Sequence, residues 1–179
     1  AHAEVREGSV AGARDDGPRT MTGVRLHFGA ATDVGRVREV NEDSFLAAAP
    51  VFVVADGMGG HAGGDVASRI VVEEFGRLAD TGYDPREGAT AVAETLDAAQ
   101  QRIRAYGEEN GSAARPWYAG TTAVVALVVE DDEGPKWLLA NLGDSRVYKM
   151  LDGRLDQVSV DHSVVQELMD AGQIDAEQA

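Results

Sequence analysis

The sequence predicts an α+β domain built on antiparallel sheets. Three observations lead there. Short runs rich in β-branched residues lie on both sides of the chain's middle, and two consecutive helical patterns occupy that middle. Turn residues join neighbouring runs where an alternating β-α-β chain would place helices. The 179 residues fit one domain, and a hydrophobic content of 44% suffices for a core.

Residues 1–22 carry Gly, Asp, Arg and Ser with little apolar content, and read as a disordered leader or a cloning remnant. The folded domain is expected over residues 23–179. Residues 26–31, 44–48 and 51–55 are candidate strands, the last two joined by a tight antiparallel connection at Ala47 to Pro50. Residues 65–78 predict a helix, because Ala67, Ile70, Val71, Phe75 and Leu78 recur at spacings of three and four. A second helix is expected from Asp84, with Asp84 as cap, Pro85 in the first turn and Glu87 at the capping-box position. Its apolar stripe runs through Ala89, Val92, Ala93, Leu96, Ala99, Ile103 and Tyr106, and the two helices are expected to pair antiparallel. Residues 108–118 read as a loop. Strands are expected over 121–129, 136–142, 145–150 and 155–158, separated by turns at Asp131 to Gly134, Gly143-Asp144 and Leu151 to Arg154. A short helix over 163–171 would begin at a Ser163/Gln166 capping box and stop at Gly172. Asp175 to Gln178 has the form of another helix start.

Composition narrows the function classes. No apolar run is long enough to cross a bilayer, and no secretion signal opens the chain. Cysteine is absent, which removes disulfides, thiolate metal sites and cysteine nucleophiles and is compatible with a cytoplasmic setting. A formal net charge of -15 disfavours nucleic acid as a partner. The same charge repels an anionic substrate unless bound cations invert the local field.

The chemistry concentrates at Val51 to Gly64, VFVVADGMGGHAGG. A strand-like run ends in one carboxylate, Asp56, followed by five glycines and one histidine, with Glu42 and Asp43 upstream. A carboxylate at the end of a buried strand is costly unless something positive meets it. Hard divalent ions such as Mg²⁺ and Mn²⁺ prefer oxygen ligands, so Asp56 is a candidate ligand and the Gly57 carbonyl a second. Equally, Asp56 could cap an Asp-Gly turn. Glu42 and Asp43 would point to opposite faces within a strand, but could both face a metal at a strand start or bulge; otherwise they are solvated. Asp144, between two apolar strands, is either a further ligand or a hairpin-turn residue. His61 suits proton transfer to a leaving group, since imidazole titrates near ~6.5, or is an exposed loop histidine. Arg38 could grip a phosphate bidentately, or pair with Glu39 or Glu42. No Gly-Lys-Ser/Thr follows the glycines, so this is no nucleotide P-loop.

In chain order, Thr32-Asp33-Val34-Gly35, Arg38-Glu39-Val40-Asn41-Glu42-Asp43, Ala55 to His61, Gly120-Thr121-Thr122, Gly143-Asp144-Ser145-Arg146 and Asp161-His162-Ser163 resemble the motifs of the bacterial type 2C, metal-dependent protein serine/threonine phosphatases. The resemblance implies an α-β-β-α sandwich, two antiparallel sheets flanked by helical hairpins, incomplete here at its C-terminal side. It implies a binuclear Mn²⁺ or Mg²⁺ centre bridged by Asp56, with the Gly57 carbonyl a ligand and Glu42 and Asp43 acting through waters. It further implies a third ion near Asp144, a phosphate grip by Arg38 and a general acid in His61. The implied reaction is hydrolysis of phosphoserine and phosphothreonine in proteins by a metal-activated water, with phosphorylated proteins as substrates and serine/threonine kinases as counterparts.

Two further carboxylate motifs of that family do not occur in this chain, which stops in what would be the flap beside the active site. The isolated chain is therefore expected to be weak or inactive unless the missing part or a second chain completes it. The alternative is a phosphatase-like regulatory or partner-binding module without catalysis. A metal-dependent nuclease is disfavoured by the charge.

Overall fold

Alternation along one strand organises the molecule. In β2 (Val51–Met58), Val51, Val53 and Ala55 are at most 2% exposed, while Phe52, Val54 and Asp56 point to the opposite side. The computed structural model in which this is seen describes residues 24–59, 63–112 and 117–162. β1 (Asp43–Ala48) pairs antiparallel with β2 from Ala48↔Val51 out to Asp43↔Asp56. On its other edge β2 pairs with the short β3 (Gly120–Thr121) and with β4 (Ala123–Asp131), which in turn pairs with β5 (Gly134–Leu142) through the turn at Asp132-Glu133. All pairings are antiparallel. A separate hairpin, β6 (Tyr148–Leu151) with β7 (Arg154–Gln157), follows.

Helices cover one face of this sheet. α1 (Gly64–Thr81) buries Ala67, Ile70, Val71 and Phe75, and α2 (Gly88–Asn110) buries Val92, Ala99 and Ile103. These side chains meet Val51, Val53, Ala55, Ala123, Val125 and Leu127 in one core. Buried Glu74 of α1 accepts from Arg102 of α2 at 2.6 Å and from Arg77 at 2.6 Å, which pins the helices to each other. The Tyr83 hydroxyl donates to the Val128 carbonyl, and burial pushes its pKa up to about 12.

The other face of the sheet is apolar but half open. Phe28 meets Phe52 edge-on at 5.1 Å between ring centres, Phe52 meets Trp137 at 5.9 Å, and Val54 remains 50% exposed. Among the described residues no second sheet lies on it.

Several local expectations change. Residues 26–31 form no strand; that segment contributes Phe28 to the open face without a ladder of its own. Asp84 does cap, accepting from the Arg86 N–H at 2.9 Å, but the element it caps is a single 3₁₀ turn, Pro85–Glu87. α2 begins after it, at Gly88, with no side-chain cap from Glu87. Ala89 and Ala93 are exposed, so the buried stripe is narrower than the periodicity implies. α2 also runs on to Asn110, into the expected loop. The single strand expected over 121–129 is broken at Thr122, and residues 145–147 are irregular. β6 therefore does not extend the β4–β5 meander. The helix expected over 163–171 and the helix start at Asp175 lie outside the described residues.

Candidate functional site

The end of β2 and the start of β1 carry the first two carboxylates. Asp43 and Asp56 stand directly opposite each other in the ladder, so their side chains share one face. Like charges in that position repel, and the pair is close enough to share a hydrogen bond. Glu42 lies just outside the strand. Its carbonyl accepts from the Gly57 N–H at 3.2 Å and from the buried Ser68 hydroxyl at 2.6 Å. Its carboxylate is carried to the first residue of α1: a Cβ on Gly64 would stand 2.8 Å from Glu42 Oε1. The N-terminus of a helix favours an anion there.

Upstream residues brace this arrangement. Asn41 accepts from the Asp43 N–H at 3.1 Å and donates to the Thr32 hydroxyl at 2.7 Å, while Asp33 accepts from the Gly35 N–H at 2.7 Å. The glycines do more structural work here than ligand access. A Cβ on Gly57 would lie 2.2 Å from the Gly64 carbonyl oxygen and 2.6 Å from that of Glu42, so only glycine lets β2 run beneath α1.

A fourth carboxylate arrives from across the sheet. Asp144 follows β5 at a bend, and its loop is tied to the break between β3 and β4 by a 2.7 Å contact between the Ser145 and Thr122 hydroxyls. A strap of chain after β7 holds the loop from outside. The His162 N–H donates to the Gly143 carbonyl, Asn141 Nδ2 donates to the Val160 carbonyl, and Arg146 makes a two-oxygen ion pair with buried Asp161. That pairing holds the Asp161 carboxyl below its ordinary range. Because β5 and β6 are not paired, Asp144 is not a hairpin-turn residue.

Electrostatics link the set. The Asp56 carboxyl is raised above its ordinary value, first by burial and then by the charges of Asp43, Asp144 and Glu42. Among the described residues, these three charges acting on it are all negative. Among the described residues no three carboxylates or histidines close into a ready-made cage. A facing pair with two more acidic groups near it fits an ion such as Mg²⁺ or Mn²⁺, which takes one or two carboxylates and keeps several waters. The all-oxygen donor set and the lack of cysteine agree with that fit.

Arg38 is exposed and pairs with neither Glu39 nor Glu42 among the described residues. His61 lies outside the described residues, between the end of β2 and α1. A groove of about 920 Å³ opens beside the β2 end, between Met58-Gly59, α2 and Trp117 to Gly120; its lining includes Glu108 but not Glu42, Asp43, Asp56 or Asp144.

A family model described as protein phosphatase 2C matches residues 35–171. The chain belongs to the protein phosphatase 2C family. The serine/threonine protein phosphatase PstP of Mycobacterium tuberculosis is 38% identical over 168 residues, an alignment covering 86% of this chain and 28% of the relative. The serine/threonine phosphatase Stp of Listeria monocytogenes is 34% identical over 169 residues, covering 86% and 62%. The solved catalytic domain of PstP in complex with two manganese ions superposes with a TM-score of 0.68 at 36% identity, covering 80% of this chain and 59% of that one. The chain thus spans about a quarter to three-fifths of these relatives' length. The α+β layering of sheet and helical pair is that of the solved phosphatases.

Within the 2C framework, sequence reasoning placed Thr122, Ser145, Arg146 and Asp161 in motifs without foreseeing the bonds by which they position the acidic residues, and it passed over Ser68. A faint signal existed for Ser68, a lone serine on the apolar face of α1 between Ala67 and Ile70.

Proposed function

We propose that this chain carries the part of a phosphoserine/phosphothreonine protein phosphatase site that its family builds around Mn²⁺ or Mg²⁺. The observation that carries the reading is the facing pair Asp43 and Asp56, with the further negative charges of Glu42 and Asp144 acting on Asp56. Asp56, Asp43 and the Gly57 carbonyl would hold the ions, with Glu42 and Asp144 at the margin. Bound there, a divalent ion supplies charge neutralisation for the phosphate and a water ionised near neutral pH. Arg38 offers a planar fork of donors to phosphate oxygens and orients the ester. His61 gives its proton to the departing serine or threonine oxygen, which otherwise leaves as a costly alkoxide. Substrates would be phosphorylated proteins, with serine/threonine kinases supplying them. No described helix is long and apolar enough to cross a membrane; a cytoplasmic setting is part of the proposal.

Release of inorganic phosphate from a phosphothreonine peptide by the full-length phosphatase that contains this chain, with Mn²⁺ and with Asp56→Asn in the same full-length protein as the paired control, tests the reading. Manganese-dependent release that Asp56→Asn removes is expected. Equal release by both chains would overturn it.

A further inference from the structure

Two hydroxyls outside the acidic set join the halves of the site. The Thr122 hydroxyl accepts the Asp56 backbone N–H at 3.0 Å and lies 2.7 Å from the Ser145 hydroxyl. Thr122 also donates its own N–H to the Asp56 carbonyl at 2.9 Å, so one buried residue grips Asp56 on both sides. Ser145 is the residue after Asp144. Residues 145–147 form no strand; backbone bonds hold the loop's two ends, from the His162 N–H to the Gly143 carbonyl and from the Val158 N–H to the Val147 carbonyl, and on the side facing Asp56 the Ser145 hydroxyl ties it to Thr122. The Thr122 methyl packs against Gly143, where an added Cβ would stand 2.7 Å away. Gly143 holds φ at +97°, a conformation that glycine adopts without strain.

We propose that the Thr122–Ser145 hydroxyl pair is a positioning latch: it sets how far Asp144 stands from Asp56, and so decides whether a divalent ion held at Asp56 is also within reach of Asp144. The inference rests on the metal-site reading above. Neither hydroxyl is a catalytic group; both act through the carboxylates they place.

The bonding makes the two residues unequal. A threonine hydroxyl has one proton and two lone pairs. One lone pair serves the Asp56 N–H, and the remainder serves Ser145. Loss of the Ser145 hydroxyl removes the Asp144 loop's tie to Thr122, leaving the Arg146–Asp161 clasp and the grip on Asp56 in place. Loss of the Thr122 hydroxyl removes the same tie and also strips the Asp56 N–H of its side-chain acceptor. Valine at 122 keeps both the shape and the methyl contact with Gly143.

Manganese titration by calorimetry tests this, at a temperature where circular dichroism shows each chain folded. Ser145→Ala should weaken Mn²⁺ binding about two- to tenfold, the range of one net hydrogen bond. Thr122→Val should weaken it more. Ser145→Thr should restore it, and Ser145→Ala should add almost nothing to Asp144→Asn, because both remove the same contribution. A merely structural role would lower the melting temperature and leave that non-additivity and rescue absent. Binding by Ser145→Ala equal to the unaltered chain, or losses that add in full, would overturn the latch while Asp56→Asn still abolishes binding. Binding by Asp56→Asn equal to the unaltered chain would instead overturn the metal-site reading, and the latch with it. If Thr122→Val does not fold, the Ser145 series alone decides.

Discussion

Replacing Asp56 with asparagine should stabilise the metal-free protein and at the same time destroy its response to manganese. Asp43 and Asp56 are directly opposed across an antiparallel pair, a geometry that puts their Cβ atoms about 5 Å apart. Two unit charges at that distance repel by about 0.8 kcal/mol in water and about twice that at half water's dielectric constant. Asp56 is exposed enough for solvent to screen the pair, so about 1 kcal/mol is the expected relief. For a domain of this size that raises the melting temperature by about 2–4 °C. The pH dependence has a definite sign. Asp56 titrates higher in the folded chain than its ordinary value, so its ionisation opposes folding. Its relative contribution is full below about pH 4 and is lost as the pH rises through the folded value. The gain from Asp56→Asn should therefore appear at neutral pH and vanish in acid. Manganese at a hundredfold excess over its dissociation constant would stabilise the unaltered chain by about 2.7 kcal/mol. Thermal melts in chelator and in manganese, for both chains, measure all of this. A lower melting temperature for Asp56→Asn in chelator, or an undiminished manganese shift, would refute the reasoning.

Three further outcomes are expected. Gly57→Ala places a methyl 2.2 Å from a backbone oxygen of α1, so the melting temperature should fall by more than about 10 °C, as strain at a close-packed backbone predicts; an unchanged melt contradicts the packing described. Arg102→Met leaves buried Glu74 with Arg77 alone and should cost about 1–3 kcal/mol in urea denaturation, whereas Arg102→Lys should recover part of it. Asp161 is held low by Arg146, so its contribution is present above the unfolded carboxyl value near ~3.9 and is lost as the pH falls through the folded one. Asp161→Asn should accordingly flatten the acid limb of the stability profile, and an unaltered acid limb would count against the clasp.

The acidic residues were legible because their signal is local. An apolar strand ending in Asp-Gly marks Asp56, and a tight turn at Ala49-Pro50 sets the hairpin register, so counting outward from the turn places Asp43 across from Asp56. The core face of α1 was legible from its period, and that of α2 in part, since Ala89 and Ala93 fall outside it. What escaped is tertiary. Ser68, Thr122 and Ser145 find their partners 23 to 66 residues away, and no spacing rule announces such a bond. The break at Thr122 was hidden within a continuous β-branched run. The detachment of β6 from β5 was hidden too, because turn residues at Gly143-Asp144 suit a hairpin and an irregular loop equally. At Asp84 the capping chemistry was read correctly and the element behind it was not.

Strand parity ties the open aromatic surface to the acidic pair. Phe52, Val54 and Asp56 project in the same direction from β2, so any layer laid over the rings reaches the rim where the carboxylates stand. Sealing that greasy flank from water and building the remaining wall around a bound cation are thus a single event. Solvent is expelled from both in the same step, and the electrostatic attraction for an ion sharpens as the hydrocarbon is covered.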